Sequence, residues 1–500
     1  MTSTLLWTLI AVQIALGAFD TLYHHEWTER LAWRVSQRRE LKLHGVRNLI
    51  YGALFATLGW SEVHGALALA VIAFLAVEIV ITLADFVEED ASRRLPATER
   101  VTHTLLALNY GAILYALLPV LFGWAAEDMA VVAVSHGWWS LFAGAAALGV
   151  ALFGLRDLAA SARAPRLVPK PAAALVTALP RHQSILVTGA TGFVGTRLVE
   201  GLAAAGHDVI VLTRNAEKAL ALRPPFRLVT DLDQIDGATR IDAIVNLAGE
   251  PVSGGLWTRA RKRAIVESRK TMMAGLLGLI ARLEQAPAVF VGASAIGWYG
   301  LRGDEELAED AEPARDFFSH ESCAVVEHEM EKARGFGLRV VALRIGLVLG
   351  TEGGLLARLL LPFEFGMGGR IGSGTQWMSW IARDDLVRLI AHAVANEGLE
   401  GPVNATAPAP VRNADFARAL GHALHRPAVM PLPALPLRLL GDFGKELLLG
   451  GQRVVPKKAL ASGFAFNYPT LPMALESMLG AKAAREHVIR AEAAHRLGLG

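Results

Sequence analysis

Three groups of residues in this chain have the types and spacing that chemistry needs. The first is the run SILVTGATGFVG at residues 184–195, an apolar strand feeding glycines spaced GxxGxxG and then a helix. Gly189 permits the tight turn, Gly192 lets the backbone approach a pyrophosphate, and Gly195 lets the helix pack close with its N-terminus toward the anion. The second group is Ser294, at the end of an apolar strand over 288–293, with Tyr299 in the loop after it. Their hydroxyls could polarise a substrate carbonyl; equally, Ser294 could only cap the strand and Tyr299 wall a pocket. The third group is acid and imidazole: Asp20 and His24, Glu40 and His44, Glu99 and His103, with Asp85 and Glu89 as an acidic pair. A spacing of four puts both members of each pair on one helix face.

Four helices that present carboxylates and imidazoles to one another can hold a dinuclear metal site, although the usual spacing is three, and paired histidines can also ligate haem. The plainer reading is that polar groups gather at helix ends and pair with nearby arginines. Glu78 lies about two helical turns from Asp85, deeper in an apolar run, where a carboxylate needs a partner.

The elements that must position these residues fall into two halves. Apolar residues make up 53% of the 500 and charged residues only 19%, too greasy for an ordinary soluble enzyme. The excess is N-terminal, in apolar runs over 2–19, 47–61, 65–84, 104–124 and 137–155, each near the ~20 residues that cross a bilayer. The second run is short, so residues 1–157 are expected to be a transmembrane helical domain of five spans, with four as the alternative. Met1 to Leu6 carry no basic side chain, which argues for a retained span over a cleaved signal peptide.

Arginine and lysine set the orientation. Arg30, Arg34, Arg38, Arg39, Lys42 and Arg47 precede the second run, Arg93, Arg94 and Arg100 lie between the third and fourth, and Arg156, Arg163, Arg166 and Lys170 follow the fifth; the other loops have none. The N-terminus is therefore expected outside and the second half in the cytoplasm, with Trp60, Trp124, Trp138 and Trp139 as an outer aromatic belt. A single cysteine, Cys323, excludes an intrachain disulfide and a paired-cysteine zinc site, and a net charge of +2 leaves no basic stripe for nucleic acid. Residues 158–183, rich in Ala, Pro and Arg, read as a linker, and Lys482 to Leu499 as an exposed helix in a tail over 479–500.

From 184 onward short apolar strands at 208–213, 241–247, 288–293 and 339–343 alternate with helical stretches, which predicts an α/β fold, a Rossmann-type doubly wound parallel sheet over 184–347. A site for NAD wants an acid at the end of the second strand; here that end is Leu212-Thr213-Arg214. A guanidinium there suits a 2′-phosphate, so NADP is expected rather than NAD, the alternative being a solvated strand-end arginine.

Residues 184–478 resemble the atypical short-chain dehydrogenases of the NAD-dependent epimerase/dehydratase superfamily, in the group called epimerase family proteins. The motifs are NLAGEP at 246–251, Trp257 with Arg261-Lys262 and Ser268-Arg269, ASAIGWYG at 293–300, GSGTQWMSWI at 372–381 with Asp384-Asp385, LLLGGQRVVP at 447–456 and GFAFNYP at 463–469. The resemblance implies a cofactor lined by Thr191, Phe193, Val194, Asn246, Leu247, Ala248, Gly249 and Arg344. It further implies a substrate side with Glu250, Trp257, Arg269 and Trp380, and a substrate lobe over 348–478. Glu250 could also be only a loop cap.

Standard members pair a tyrosine with a lysine four residues on, whose charge lowers the phenol pKa. None of the six tyrosines here has that lysine, and the slot on the helix expected at 316–333 holds Cys323 and Glu327. A carboxylate one turn away raises a thiol's pKa, so this pair cannot copy the dyad. Similar members carry a histidine after the Ser-Trp-Ile element, where this chain has Ala382. The expectation is a membrane-anchored NADP-binding oxidoreductase or epimerase acting on an unknown, apolar or sugar-like carbonyl substrate. The alternatives are a non-catalytic NADP sensor or scaffold, and a membrane metal-dependent redox protein fed by NADPH.

Overall fold

The structure is a computed structural model and describes residues 4–93, 95–167 and 170–480. Arg94 and the helix expected over 482–499 lie outside the described residues. The chain divides between residues 168 and 169 into two compact units.

The first unit is five helices: α1 (Thr4–Phe19), continued by a π-helical segment (Asp20–Glu29), α2 (Arg38–Trp60), α3 (Ala66–Ser92), α4 (Ala97–Ala125) and α5 (Trp138–Arg163). Two three-residue strands, Ser61–Val63 and Val131–Ala133, pair antiparallel and so bring the α2–α3 and α4–α5 connections to one end. Four segments, 4–29, 66–92, 97–125 and 138–166, are long and apolar enough to cross a membrane. The expected span at 47–61 is instead the second part of α2, whose 23 residues reach about 34 Å at 1.5 Å per residue. Charged first turns keep α2 below that apolarity. What compensates is a small-residue seam: a Cβ on Gly45 would stand 2.9 Å from Gly154 O, and one on Gly59 2.8 Å from Ala143 Cβ. Such contacts let α2 and α5 approach closely, the way helices pack where no water drives them together.

The unit buries carboxylates beside an apolar cluster that includes Leu6, Ile10, Leu58, Leu75 and Leu117, and it is apolar on its outside. Glu40, Glu78, Asp85 and Glu99 are buried, whereas Leu69, Val80, Leu108 and Leu148 face outward. That arrangement suits a hydrocarbon solvent. The aromatic belt is half as wide as expected: Trp60 and Trp138 are exposed, but Trp124 packs on His64 and Trp139 stacks on Trp7, so both turn inward.

The second unit is built on seven parallel strands, β1 (Ser184–Thr188), β2 (Asp208–Leu212), β3 (Arg227–Val229), β4 (Ala243–Asn246), β5 (Val289–Ala295), β6 (Arg339–Ile345) and β7 (Gly401–Ala405), in the order β7-β6-β5-β4-β1-β2-β3. Period-2 alternation divides each strand between two cores. Ile185, Val187, Val209 and Val211 face α6 (Phe193–Ala204) and α9 (Arg383–Ala395); Leu186, Ile210, Ile244 and Phe290 face α7 (Arg259–Arg282) and α8 (Phe318–Glu331). The order reverses at β1 and β4, which places a ligand crevice at their carboxyl ends.

Two boundaries differ from expectation. The linker is not free chain: Leu175, Val176 and Leu179 are buried in the β1–α6 core, because their spacing gives a short apolar face that an Ala- and Pro-rich composition hides. The substrate lobe is not separate either. Its residues 401–405 return as β7, and Ala459 and Phe464 join the same core.

Candidate functional site

At the reversal point, Gly189 has φ +67°, and a Cβ there would lie 2.6 Å from Leu247 C and 2.7 Å from Ala248 N. Only glycine meets both demands. A Cβ on Gly195 would overlap Gly189 O, so α6 presses directly on the turn. A Cβ on Gly192 would meet nothing closer than Gly189 O at 3.2 Å, which leaves the side toward the crevice open. Gly192 N donates to Gly189 O at 3.0 Å and Thr196 N to Gly192 O at 2.9 Å. The amides of Phe193, Val194 and Gly195, in the first turn, have no intrahelical acceptor and suit an anion.

Across the crevice Thr188 Oγ1 donates to Asn246 Oδ1 at 2.6 Å, and the Asn246 amide reaches Met273 Sδ at 3.4 Å. Asn246 is therefore spent on joining β1 to β4 and does not line a cofactor with its side chain. The main chain of Leu247, Ala248 and Gly249 forms the wall. Arg269 supports it by donating to Glu250 O at 3.2 Å and Ile265 O at 2.8 Å, with Gly249 packed against its guanidinium. At the end of β2, Arg214 is exposed, with no hydrogen bond or ion pair among the described residues. Those features fit an NADP: a glycine cradle for the pyrophosphate and an uncommitted guanidinium for a 2′-phosphate.

At the carboxyl end of β5, Ser294 Oγ donates to Glu327 Oε1 at 2.7 Å. Arg344 grips the same carboxylate through Nε at 3.0 Å and Nη2 at 2.9 Å, and lies 3.4 Å over the Trp298 ring. Burial opposes the charge on Arg344, but Glu327 outweighs it and holds the guanidinium pKa above its ordinary value. Burial, and then the Glu327 charge, push the Cys323 thiol up to about 11, so it stays protonated near neutrality.

A profile of the NAD dependent epimerase/dehydratase family matches residues 185–405, and one described as a domain of unknown function, DUF1731, matches 432–478. Epimerase family protein SDR39U1 of Bos taurus is 38% identical over 301 residues, 59% of this chain and 99% of its own length. This chain belongs to the NAD-dependent epimerase/dehydratase family. Epimerase family protein YfhF of Bacillus subtilis is 36% identical, over 59% of this chain and 98% of its own. The crystal structure of human epimerase family protein SDR39U1 with NADPH superposes with a TM-score of 0.54 at 33% identity, covering 60% of this chain and all of that one.

Within the family's fold, several residues expected at the site prove to hold it together instead. Tyr299 is 0% exposed, donates to Asn404 Oδ1 at 2.7 Å and accepts from Arg344 Nη1 at 3.1 Å, so its hydroxyl cannot meet a substrate. Arg344 is 2% exposed and committed to Glu327, not to a cofactor. Trp380 is also 0% exposed, with Nε1 donating to Ala409 O at 3.0 Å. Trp257 packs edge-on against Phe318 and donates to Val252 O at 2.9 Å, a core role rather than a substrate contact. Glu250 pairs with Arg261 and its amide donates to Ser268 Oγ at 3.1 Å, which makes it a loop fastener. The family motifs near the C-terminus are clasps: Asp385 accepts from Asn467 N and Tyr468 N, and Ser379 Oγ from Val454 N. Glu327 is the residue beside the carboxyl end of β5 whose partners sequence reasoning did not find. Its place four residues after Cys323 was legible, but its two partners come from β5 and β6.

In the first unit the structure assembles most of the acid and imidazole set. Asp20, His25, Glu99 and His103 form one group, and His25, Glu40, His44 and Glu89 another. His25, not His24, joins these groups; His24, in the π-helical segment Asp20–Glu29, bonds Asp20 and reaches Thr98. Asp85 is taken by Arg47 at 2.7 Å. Glu78 Oε1 accepts from Tyr51 at 2.7 Å and Thr82 at 2.6 Å, while its Oε2 is buried without a hydrogen bond; Glu78 belongs to neither group. His25 and His44 stack face to face at 4.5 Å, so this pair has no opposed nitrogens to take a porphyrin iron.

Proposed function

We propose that this chain is a membrane-anchored, NADP-dependent oxidoreductase or epimerase that acts on a carbonyl or secondary alcohol beside Ser294. The observation that carries the cofactor is Arg214, an uncommitted guanidinium beside a glycine turn that fits a pyrophosphate. The NADPH in the human SDR39U1 structure supports the same choice. The four long apolar helices and the outward apolar surface support the anchor. The gathering of Arg34, Arg38, Arg93 and Arg100 at one end of the bundle supports an external N-terminus and a cytoplasmic nucleotide unit.

A bound nicotinamide supplies or accepts the hydride. The chain's own part is the proton. Ser294 stands at the same carboxyl edge of the sheet as the glycine turn, and its proton already points to Glu327 Oε1. As a substrate hydroxyl is oxidised it gives its proton to Ser294 Oγ, which passes its own to Glu327; reduction runs the path backward. Arg344 fixes the carboxylate in line. This pair takes the place of the tyrosine–lysine pair at a spacing of four, which the chain lacks.

Full-length protein in membranes, given NADPH deuterated at the nicotinamide, is expected to move label into an extracted metabolite or lipid, read by mass spectrometry. Ser294→Ala should slow that transfer roughly a hundredfold with NADPH binding unchanged. The missing tyrosine–lysine pair favours a second reading, an NADP sensor without turnover. Label transfer that is absent in the wild type, or indifferent to Ser294→Ala, selects the sensor.

A further inference from the structure

The two acid and imidazole groups of the helical unit share His25, and within each group one ligand atom per residue lies within 4.8 Å of all the others. A metal shell spans about two bonds of ~2.1 Å, so modest inward movement closes either group on an ion. Four atoms on three residues point to a missing partner rather than to a finished salt-bridge network. His25 Nε2, His44 Nε2 and both Glu89 carboxylate oxygens are buried without a hydrogen bond. The residues are 5%, 1% and 1% exposed. Glu89 has His103 Nδ1 at 3.4 Å, His44 Nε2 at 3.6 Å and Arg93 Nη2 at 3.8 Å around it, none placed to donate. His44 Nε2 stands 2.8 Å from Asp85 Oδ2, again without hydrogen-bond geometry. Leaving such groups unsatisfied in a protein interior is costly.

Charge points the same way. Five buried carboxylates, Asp20, Glu40, Asp85, Glu89 and Glu99, face two guanidiniums, Arg47 and Arg93. The excess negative charge needs protons or cations. Arg93 bridges Glu40 at 3.0 Å and Glu99 at 2.6 Å, one from each group, yet each carboxylate oxygen keeps a further lone pair. Around the groups stands an orienting layer: His24 on Asp20 at 2.9 Å and Arg47 on Asp85 at 2.7 Å. The π-helical turn that aims His25 inward is a distortion found often at functional sites. A cavity of about 270 Å³ adjoins the first group, with Asp20 and His103 in its wall, and leaves one coordination side open.

We propose that these two overlapping groups bind a pair of divalent first-row transition metal ions, of the iron, manganese or zinc class that mixed imidazole and carboxylate ligands select. The site is independent of the nucleotide unit. Its test uses full-length protein purified in detergent from cells supplied with iron, manganese and zinc. Elemental analysis is expected to find roughly two ions per chain. Glu89→Ala should remove at least half of them, while Glu78→Gln, outside both groups, should keep them. Because Glu89→Ala could instead unfold the bundle, the wild type is also stripped with chelator and titrated with Co(II). Saturable visible absorption and a raised melting temperature are expected. Wild-type protein that carries no stoichiometric metal and gives no saturable Co(II) absorption overturns the proposal and leaves Arg47 and Arg93 as the guanidiniums of a salt-bridge network.

Discussion

Glu327→Ala is expected to destabilise the nucleotide unit by about 3–5 kcal/mol, the cost of leaving a buried charge without its partner. Glu327 is the carboxylate paired with Arg344, whose other acceptors, Tyr299 OH and Glu309 O, are neutral. The Arg344 side chain is 3% exposed, Trp298 covers one face, and Glu327 accepts from two of its nitrogens. The same change removes the acceptor for Ser294 Oγ, so stability and turnover fall together. Glu327→Gln keeps one acceptor oxygen and the side-chain shape, and should recover part of the stability but little of the proton transfer. Denaturant unfolding of the full-length protein in detergent, followed by fluorescence of the nucleotide unit, separates the two variants. Equal stability of wild type and Glu327→Ala would mean that Arg344 is not held by this pair.

Gly189→Val should sharply weaken NADPH binding. Valine at φ +67° meets the left-handed penalty of about 1–2 kcal/mol, and its Cβ collides with the main chain at Leu247 and Ala248, an overpacking cost of about 1–3 kcal/mol. The turn can relieve this only by opening away from β4, which withdraws the amides of the α6 N-terminus from the pyrophosphate. At tenfold per 1.4 kcal/mol, the combined ~2–5 kcal/mol corresponds to an affinity loss of roughly thirtyfold to a few thousandfold. Isothermal titration reads it directly.

The turn was legible because its chemistry is local. Glycines at fixed spacing between an apolar strand and a helix state their own geometry, and five of the seven strands, that one included, announced themselves by apolar runs. Two strands did not. β3 is a three-residue edge after Pro224 and Pro225, and β7 reads Gly-Pro-Val-Asn-Ala, a composition of turns that only pairing with β6 makes a strand. The site residues divide in the same way. Arg214 depends on a strand end and could be picked by position, whereas Tyr299, Arg344 and Trp380 sit in conspicuous motifs whose role is packing. Motif membership does not tell a clasp from a catalyst; burial does. In the helical unit the spacing of four picked out helices whose acids and imidazoles do lie together, but it named His24 where His25 stands in the groups, because a π-turn leaves no mark in the pattern of apolar residues.

The most direct test is the affinity of full-length wild-type protein for NADPH and NADH, measured side by side by isothermal titration with Arg214→Ala as the comparison. A charge-assisted contact contributes about 1.5–3 kcal/mol. NADPH should therefore bind the wild type at least tenfold more tightly than NADH, and Arg214→Ala should erase that preference without weakening NADH. Equal affinities in the wild type, or a preference that survives Arg214→Ala, would contradict the assignment of this crevice to NADP.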